Sequence, residues 1–164
     1  MKKLLFSLLA ISAMVACEKD KLNDTDRDFA MQAGYSNSAE IAAGQLAASK
    51  GSSAMVRNYG QMMVMDHQMA LTELVTIGNE EGLSVPTTPD PAHQALMQRL
   101  STLSGYQFDT AYMNSQIMDH QMAINLFQNE VDNGKRNRVQ DYAADKLPHL
   151  RMHLASADSI RAAL

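Results

Sequence analysis

One six-residue phrase occurs twice in the chain, Met65-Asp66-His67-Gln68-Met69-Ala70 and Met118-Asp119-His120-Gln121-Met122-Ala123, with 53 residues between equivalent positions. Each copy sits in a long stretch whose apolar residues recur at three- and four-residue steps, the period of an amphipathic helix. The repetition predicts two helices that present the same chemistry to each other, and therefore a paired site between helices.

The rest of the chain supports helices and gives no sign of strands. In 164 residues, 46% of them hydrophobic, there are only 8 glycines, 4 prolines and no tryptophan. Helix-forming residues dominate, and the length suits one domain with a substantial core. Capping residues and stripes place five helices. The first runs over 26–49, capped by Thr25 or Asp26 and stopped by Gly51, with Phe29, Ala33, Asn37, Glu40, Ile41, Gly44, Ala47 and Ala48 at helical spacing. The second runs over 54–81 between a serine cap and Gly82, with Val56, Tyr59, Met63, His67, Ala70, Leu74 and Ile77 on its stripe. Pro86, Pro89 and Pro91 make 82–91 the longest connection, and Asp90-Pro91 opens a short helix over 91–103. A fourth helix over 106–132 carries Met113, Ile117, His120, Ile124, Phe127 and Val131, and a fifth over 137–163 carries Val139, Ala143, Leu147, Leu150, Leu154 and Ala157. His149 and His153 share a flank of the fifth helix with Tyr142 and Lys146, and Pro148 should bend its axis. Four long helices and one short one give an all-α, four-helix-bundle expectation, with the short extra helix after a proline-rich loop.

The N-terminus reads as a different element. Lys2 and Lys3 precede an apolar run from Leu4 to Val15 that is too short to span a bilayer, and the only cysteine follows at Cys17. Met14-Val15-Ala16-Cys17 resembles the lipobox of bacterial lipoproteins, which makes 1–16 a signal peptide, Cys17 a lipid anchor, 17–25 a charged tether and 26–164 the folded domain. A lone cysteine cannot form an internal disulfide, which agrees with an anchoring role. Loss of Lys2 and Lys3 from the 14 basic residues leaves 12 against 18 acidic ones, a net charge of −6. Such a surface repels phosphate backbones, so nucleic acid is excluded as a partner and the membrane is expected to be reached through the lipid.

Each long helix offers one side chain able to coordinate a metal at or beside its stripe: Glu40, His67, His120, and His153 or His149. Bundle interiors build metal sites from such inward residues, and three imidazoles with a carboxylate suit zinc, iron or copper. Asp66 and Asp119, one residue before each hexamer histidine, are placed to orient a neighbouring helix's histidine. Met62, Met63, Met65, Met69, Met118 and Met122 cluster around the hexamers, where they read as flexible core filling or, alternatively, as soft ligands for cuprous copper. The competing reading makes the same histidines and carboxylates a buried polar network that fixes helix register in a structural envelope protein. His93, one turn into the short helix, is left to local capping with Asp90. An oxygen-activating di-iron enzyme is disfavoured because no Glu-x-x-His pair occurs, and no catalytic residue set is assigned.

Several phrases together resemble one family. They are Glu40-Ile41-Ala42-Ala43-Gly44-Gln45-Leu46-Ala47, Met63-Val64-Met65-Asp66-His67, Leu103-Ser104-Gly105-Tyr106-Gln107-Phe108-Asp109-Thr110-Ala111-Tyr112, Met118-Asp119-His120, and Leu147-Pro148-His149-Leu150-Arg151-Met152-His153-Leu154. In order and spacing they resemble the bacterial family called domain of unknown function 4142. That resemblance implies a ferritin-like bundle in an exported or outer-membrane-associated protein, with recurrent polar positions at Glu40, Asp66, His67, Asp119, His120 and His153. His149 is not part of that pattern. The hexamers are similar, more distantly, to the His- and Met-rich helices of an exported ferritin-like family linked to copper handling, which has paired adjacent histidines where this chain has Asp-His.

Overall fold

The structure, a computed structural model, describes residues 23–164. The expected signal peptide, Cys17 and most of the expected tether lie outside the described residues. Five helices follow in order: α1 (Asp24–Lys50), α2 (Ala54–Glu81), α3 (Pro91–Thr102), α4 (Gly105–Asn133) and α5 (Asn137–Ala163). The fold is all-α, a four-helix bundle of α1, α2, α4 and α5 with α3 as a short addition in the long connection. The helix bounds fall within two residues of the sequence expectation. The first cap is different, because Asn23 accepts from the Asp26 amide while the Asp26 side chain accepts from the Asn23 amide, a reciprocal box that starts the helix before Thr25. Asp24 and Thr25, expected in the tether, are therefore helical.

Contacts at the helix ends give the topology. The turn between α4 and α5 packs on the start of α1, where the Lys135 and Arg136 amides donate to Asp26 Oδ1 at 2.9 and 3.1 Å. The turn between α1 and α2 packs on the start of α4, where the Ser52 and Ser53 amides donate to the Asp109 carboxylate at 2.9 and 2.7 Å. Helices α2 and α4 therefore run parallel, and the connection through α3 travels the length of the bundle, as in ferritin-like folds. Helix α1 touches α2 and α4, α5 touches α4 and α2, and α2 lies diagonally across from α4.

α1 and α2 approach most closely at Gly44 and Gly60, where a methyl group on either would meet the other's carbonyl oxygen at 2.7 Å. α2 and α5 are the least closely apposed of the neighbouring long helices. Two apolar clusters fill the bundle. One holds Phe29, Leu74, Phe127, Val139, Tyr142 and Leu147, with Phe29 and Phe127 edge to face at 4.9 Å between centroids. The other holds Ala47, Val56, Tyr59, Met63, Leu100, Phe108 and Tyr112. Between them in chain register lies a buried polar layer of Asn37, Glu40, His67, Gln116, His120 and His153. Polar groups taken out of water at this depth need partners, so the layer is the least ordinary part of the core.

The helix ends and stripes also show an internal repeat at a spacing of 83 residues. Asp26, Gly51, Val56 and Tyr59 correspond to Asp109, Gly134, Val139 and Tyr142. The contacts correspond too. Tyr59 OH donates to the His153 carbonyl at 3.3 Å and Tyr142 OH to the Ala70 carbonyl at 3.1 Å, and Ala70 and His153 are themselves 83 residues apart. The α1–α2 and α4–α5 hairpins are thus two copies of one scaffold related by an approximate two-fold axis. The repeated hexamers sit on diagonal helices and are not equivalent positions of that scaffold.

Candidate metal centre

Three histidines meet in the polar layer. His67 from the middle of α2, His120 from the middle of α4 and His153 from α5 are 5%, 1% and 2% exposed. Their ring centroids are 5.7, 5.5 and 5.4 Å apart, and one ligand atom from each ring lies within 4.8 Å of the other two. Helical spacing puts His67 and His120 here, because each occupies an apolar stripe that turns its side chain inward.

Each ring has one nitrogen committed and one left over. His67 Nδ1 donates to Asn37 Oδ1 at 2.8 Å, and the Asn37 amide is held in that orientation because its Nδ2 donates to the Ala33 carbonyl at 2.8 Å. His120 Nδ1 donates to the Gln116 carbonyl at 3.0 Å. His153 Nε2 donates to Asp66 Oδ2 at 2.9 Å. An amide oxygen, a backbone carbonyl and a carboxylate all accept, so the proton of each neutral imidazole is placed on that nitrogen. The remaining nitrogens, His67 Nε2, His120 Nε2 and His153 Nδ1, are buried without a hydrogen-bond partner.

Electrostatics keep these lone pairs available. Burial pushes His67 well below the usual imidazole range, reinforced by His120 and His153. Burial also lowers His120 against the opposing bond to the Gln116 carbonyl, and lowers His153 against its bond to Asp66. Neutral rings are the form that binds metals. Nitrogens around a tetrahedral ion with bonds of about 2.0–2.1 Å stand about 3.3 Å apart, so ion binding would draw the three rings together.

The other residues singled out from the sequence fall around this group in different ways. Glu40 is buried behind His120, its Oε1 3.6 Å from His120 Nδ1, the nitrogen that already donates to Gln116. It therefore stands behind a ring and outside the three-histidine group. Burial raises Glu40 to about 7, opposed by the Gln116 side chain and by His93. Asp66 orients His153 as described. Asp119 faces the other way and lines a small cavity with Glu40, His93 and Gln116, where burial first and Glu40 second raise it to about 6. It does not orient a histidine of the cluster, because the offset of about 100° that turns Asp66 toward α5 and His153 turns Asp119 toward α3. His149 is exposed and lines the mouth of a cavity that reaches His67 and His153. His93 Nδ1 donates to Asp90 Oδ2 at 2.6 Å, in the capping pair expected for it.

The methionines correct the packing expectation. Met63 is core and Met62 packs against it, but Met65, Met69, Met118 and Met122 are 61%, 65%, 55% and 53% exposed. Two residues from an inward histidine is about 200° round the helix, so these four side chains point away from the centre. Sequence reasoning also passed over Gln116, Asp109 and Glu130, all buried. The signal that would have found Asp109 is its 83-residue relation to Asp26.

The fold and the site define a helical bundle with a histidine-lined interior. The sequence matches the family described as Domain of unknown function (DUF4142) over residues 12–160, and the chain belongs to that family. No curated protein matches it. Among solved structures, the crystal structure of a DUF305 fragment from Deinococcus radiodurans superposes with a TM-score of 0.73 at 16% identity, covering 87% of this chain and 99% of that one. At that identity the likeness shows the all-helical fold.

Proposed function

We propose that this protein is a lipid-anchored component of the bacterial cell envelope that holds a transition-metal ion, zinc, iron or copper, between its helices through His67, His120 and His153. One observation carries the metal reading: three neutral imidazoles, each with one nitrogen held by a fixed acceptor, leave three buried nitrogens without a partner, in a cluster whose ligand atoms lie within 4.8 Å of one another. A network built only for helix register would pair those nitrogens, since each orphan costs about 1–3 kcal/mol. An ion supplies the missing partner for all three at once. Asn37, Gln116 and Asp66 then act as the outer acceptors that orient metal-bound histidines, and Glu40 backs His120 with a carboxyl group. The envelope location and the membrane partner rest on Met14-Val15-Ala16-Cys17 and the apolar run before it. No helix among the described residues is long and apolar enough to cross a membrane.

The test is metal content and thermal stability of the chain from Glu18 onward, which contains the whole bundle, beside the His67→Ala/His120→Ala variant. Near-stoichiometric metal in the parent and none in a variant that still melts cooperatively is the expected result. A metal-free parent after exposure to zinc, iron and cuprous copper, with a large fall in the variant's melting temperature, would make the histidines a structural network and overturn the proposal.

A further inference from the structure

The three-histidine group is reached from the surface between α2 and α5. α1 closes one side with Asn37 and Glu40. Between α2 and α5 a cavity of about 110 Å³ runs from the surface to His67 and His153. Its walls are largely apolar, with Ala70, Phe127 and Leu150 among them, and Lys146 and His149 stand on its lining. Glu73 and Asp145, each 2.7 Å from Lys146 Nζ, hold that ammonium 5.4 Å from the centre of the Tyr142 ring.

Resting on the metal reading above, we infer that this cavity is the binding site for a small monoanionic ligand of the ion, a compact oxygen or nitrogen donor of the short-chain carboxylate class. Three protein nitrogens leave a fourth tetrahedral position, and the cavity is the space beside His67 and His153 in which an exogenous donor would sit. Charge favours an anion. The two carboxyl groups beside the rings, Asp66 on His153 and Glu40 behind His120, contact the histidines and not the ion, which is left with three neutral donors of its own. Shape selects its class. The cavity takes a few heavy atoms, and its apolar walls suit a short hydrocarbon tail. The loose apposition of α2 and α5 leaves this route open, while α1 and α2 are sealed by Gly44 and Gly60.

Cobalt(II) separates this inference from the reading it rests on, because the ion's visible bands report both its presence and its ligands. The chain from Glu18 onward would be loaded with cobalt(II) and titrated with acetate, butyrate and azide, together with an Ala70→Leu variant that narrows the cavity. Saturable band shifts with all three probes, butyrate tighter than acetate, and a variant that keeps the cobalt bands but loses the carboxylate response are expected. Cobalt bands unmoved by millimolar probe, or an Ala70→Leu variant that responds as the parent does, would overturn the anion site and leave the metal site standing. Response to azide alone would overturn the carboxylate class. A chain that takes up no cobalt would overturn this inference and, if it also takes up no zinc, iron or cuprous copper, the metal reading beneath it. Melting curves of parent and variant show that a lost response is not lost fold.

Discussion

The α1–α2 and α4–α5 hairpins share their ends and differ in their middles. At the ends, Asp26 and Asp109 each accept two backbone amides from the opposite hairpin's turn, and Tyr59 and Tyr142 each reach a carbonyl of the opposite hairpin. In the middle the correspondence fails: His67 matches Leu150, His120 matches Asn37 and His153 matches Ala70 at the 83-residue spacing. Features that obey the two-fold relation hold the bundle together. Those that break it include the three histidines of the candidate site, and this separation distinguishes scaffold from candidate site without reference to any relative.

The largest stability effects should come from the shared ends. Asp109→Ala removes a buried acceptor from two amides and is expected to cost about 2–3 kcal/mol, read as a lower denaturation midpoint. Asp26→Ala should cost at least as much, about 2–3 kcal/mol, because Asp26 also accepts from the Asn23 amide and stands beside a Glu130 carboxyl group that is protonated at neutral pH. A cost well below that of Asp109→Ala would show that Glu130 is ionised beside Asp26. Asp66→Asn acts in the unmatched middle: it leaves the fold intact and is expected to weaken metal binding by about 10–100-fold in a competition titration with a chelator. An unchanged affinity would detach Asp66 from the site.

A pH slope also separates the two ends. Glu130 is fully buried beside Asp26, and burial first, the Asp26 charge second, raise it to about 8, whereas the matching position in the other hairpin is Ala47. The folded state therefore holds a proton that the unfolded chain releases near 4.5. Glu130's contribution makes stability fall as pH rises from about 4.5 to about 8. Glu130→Gln should flatten the slope of chemical-denaturation midpoint against pH over that interval. A slope unchanged in the variant would place its origin elsewhere.

Much of this architecture is legible in the sequence because helical period and capping chemistry are local. Gly82 ends α2 in the left-handed region at φ 71, and Asp90 caps α3 ahead of Pro91, both as their residue types require. His67 and His120 are legible for the same reason, lying in unbroken stripes. His153 is less so. Leu150 and Leu154 draw the α5 stripe toward themselves and leave His153 on a flank with His149, yet the structure buries His153 and exposes His149. Which side of His120 receives Glu40 depends on the packing of α1 against α4, which no local pattern encodes. The hexamer is conspicuous because it is contiguous. The 83-residue repeat is spread over single residues at helical intervals, and it becomes visible when Asp26 and Asp109 are seen making the same contacts.

The central claim is that three imidazoles share one ion, and X-ray absorption at the edge of the bound metal reads that arrangement directly. The account predicts three imidazole nitrogens at about 2.0–2.1 Å for zinc, with their outer ring atoms behind them, plus one further oxygen or nitrogen donor in the fourth position. A first shell of oxygens from carboxylates and water, or of sulfur from methionine, would contradict it.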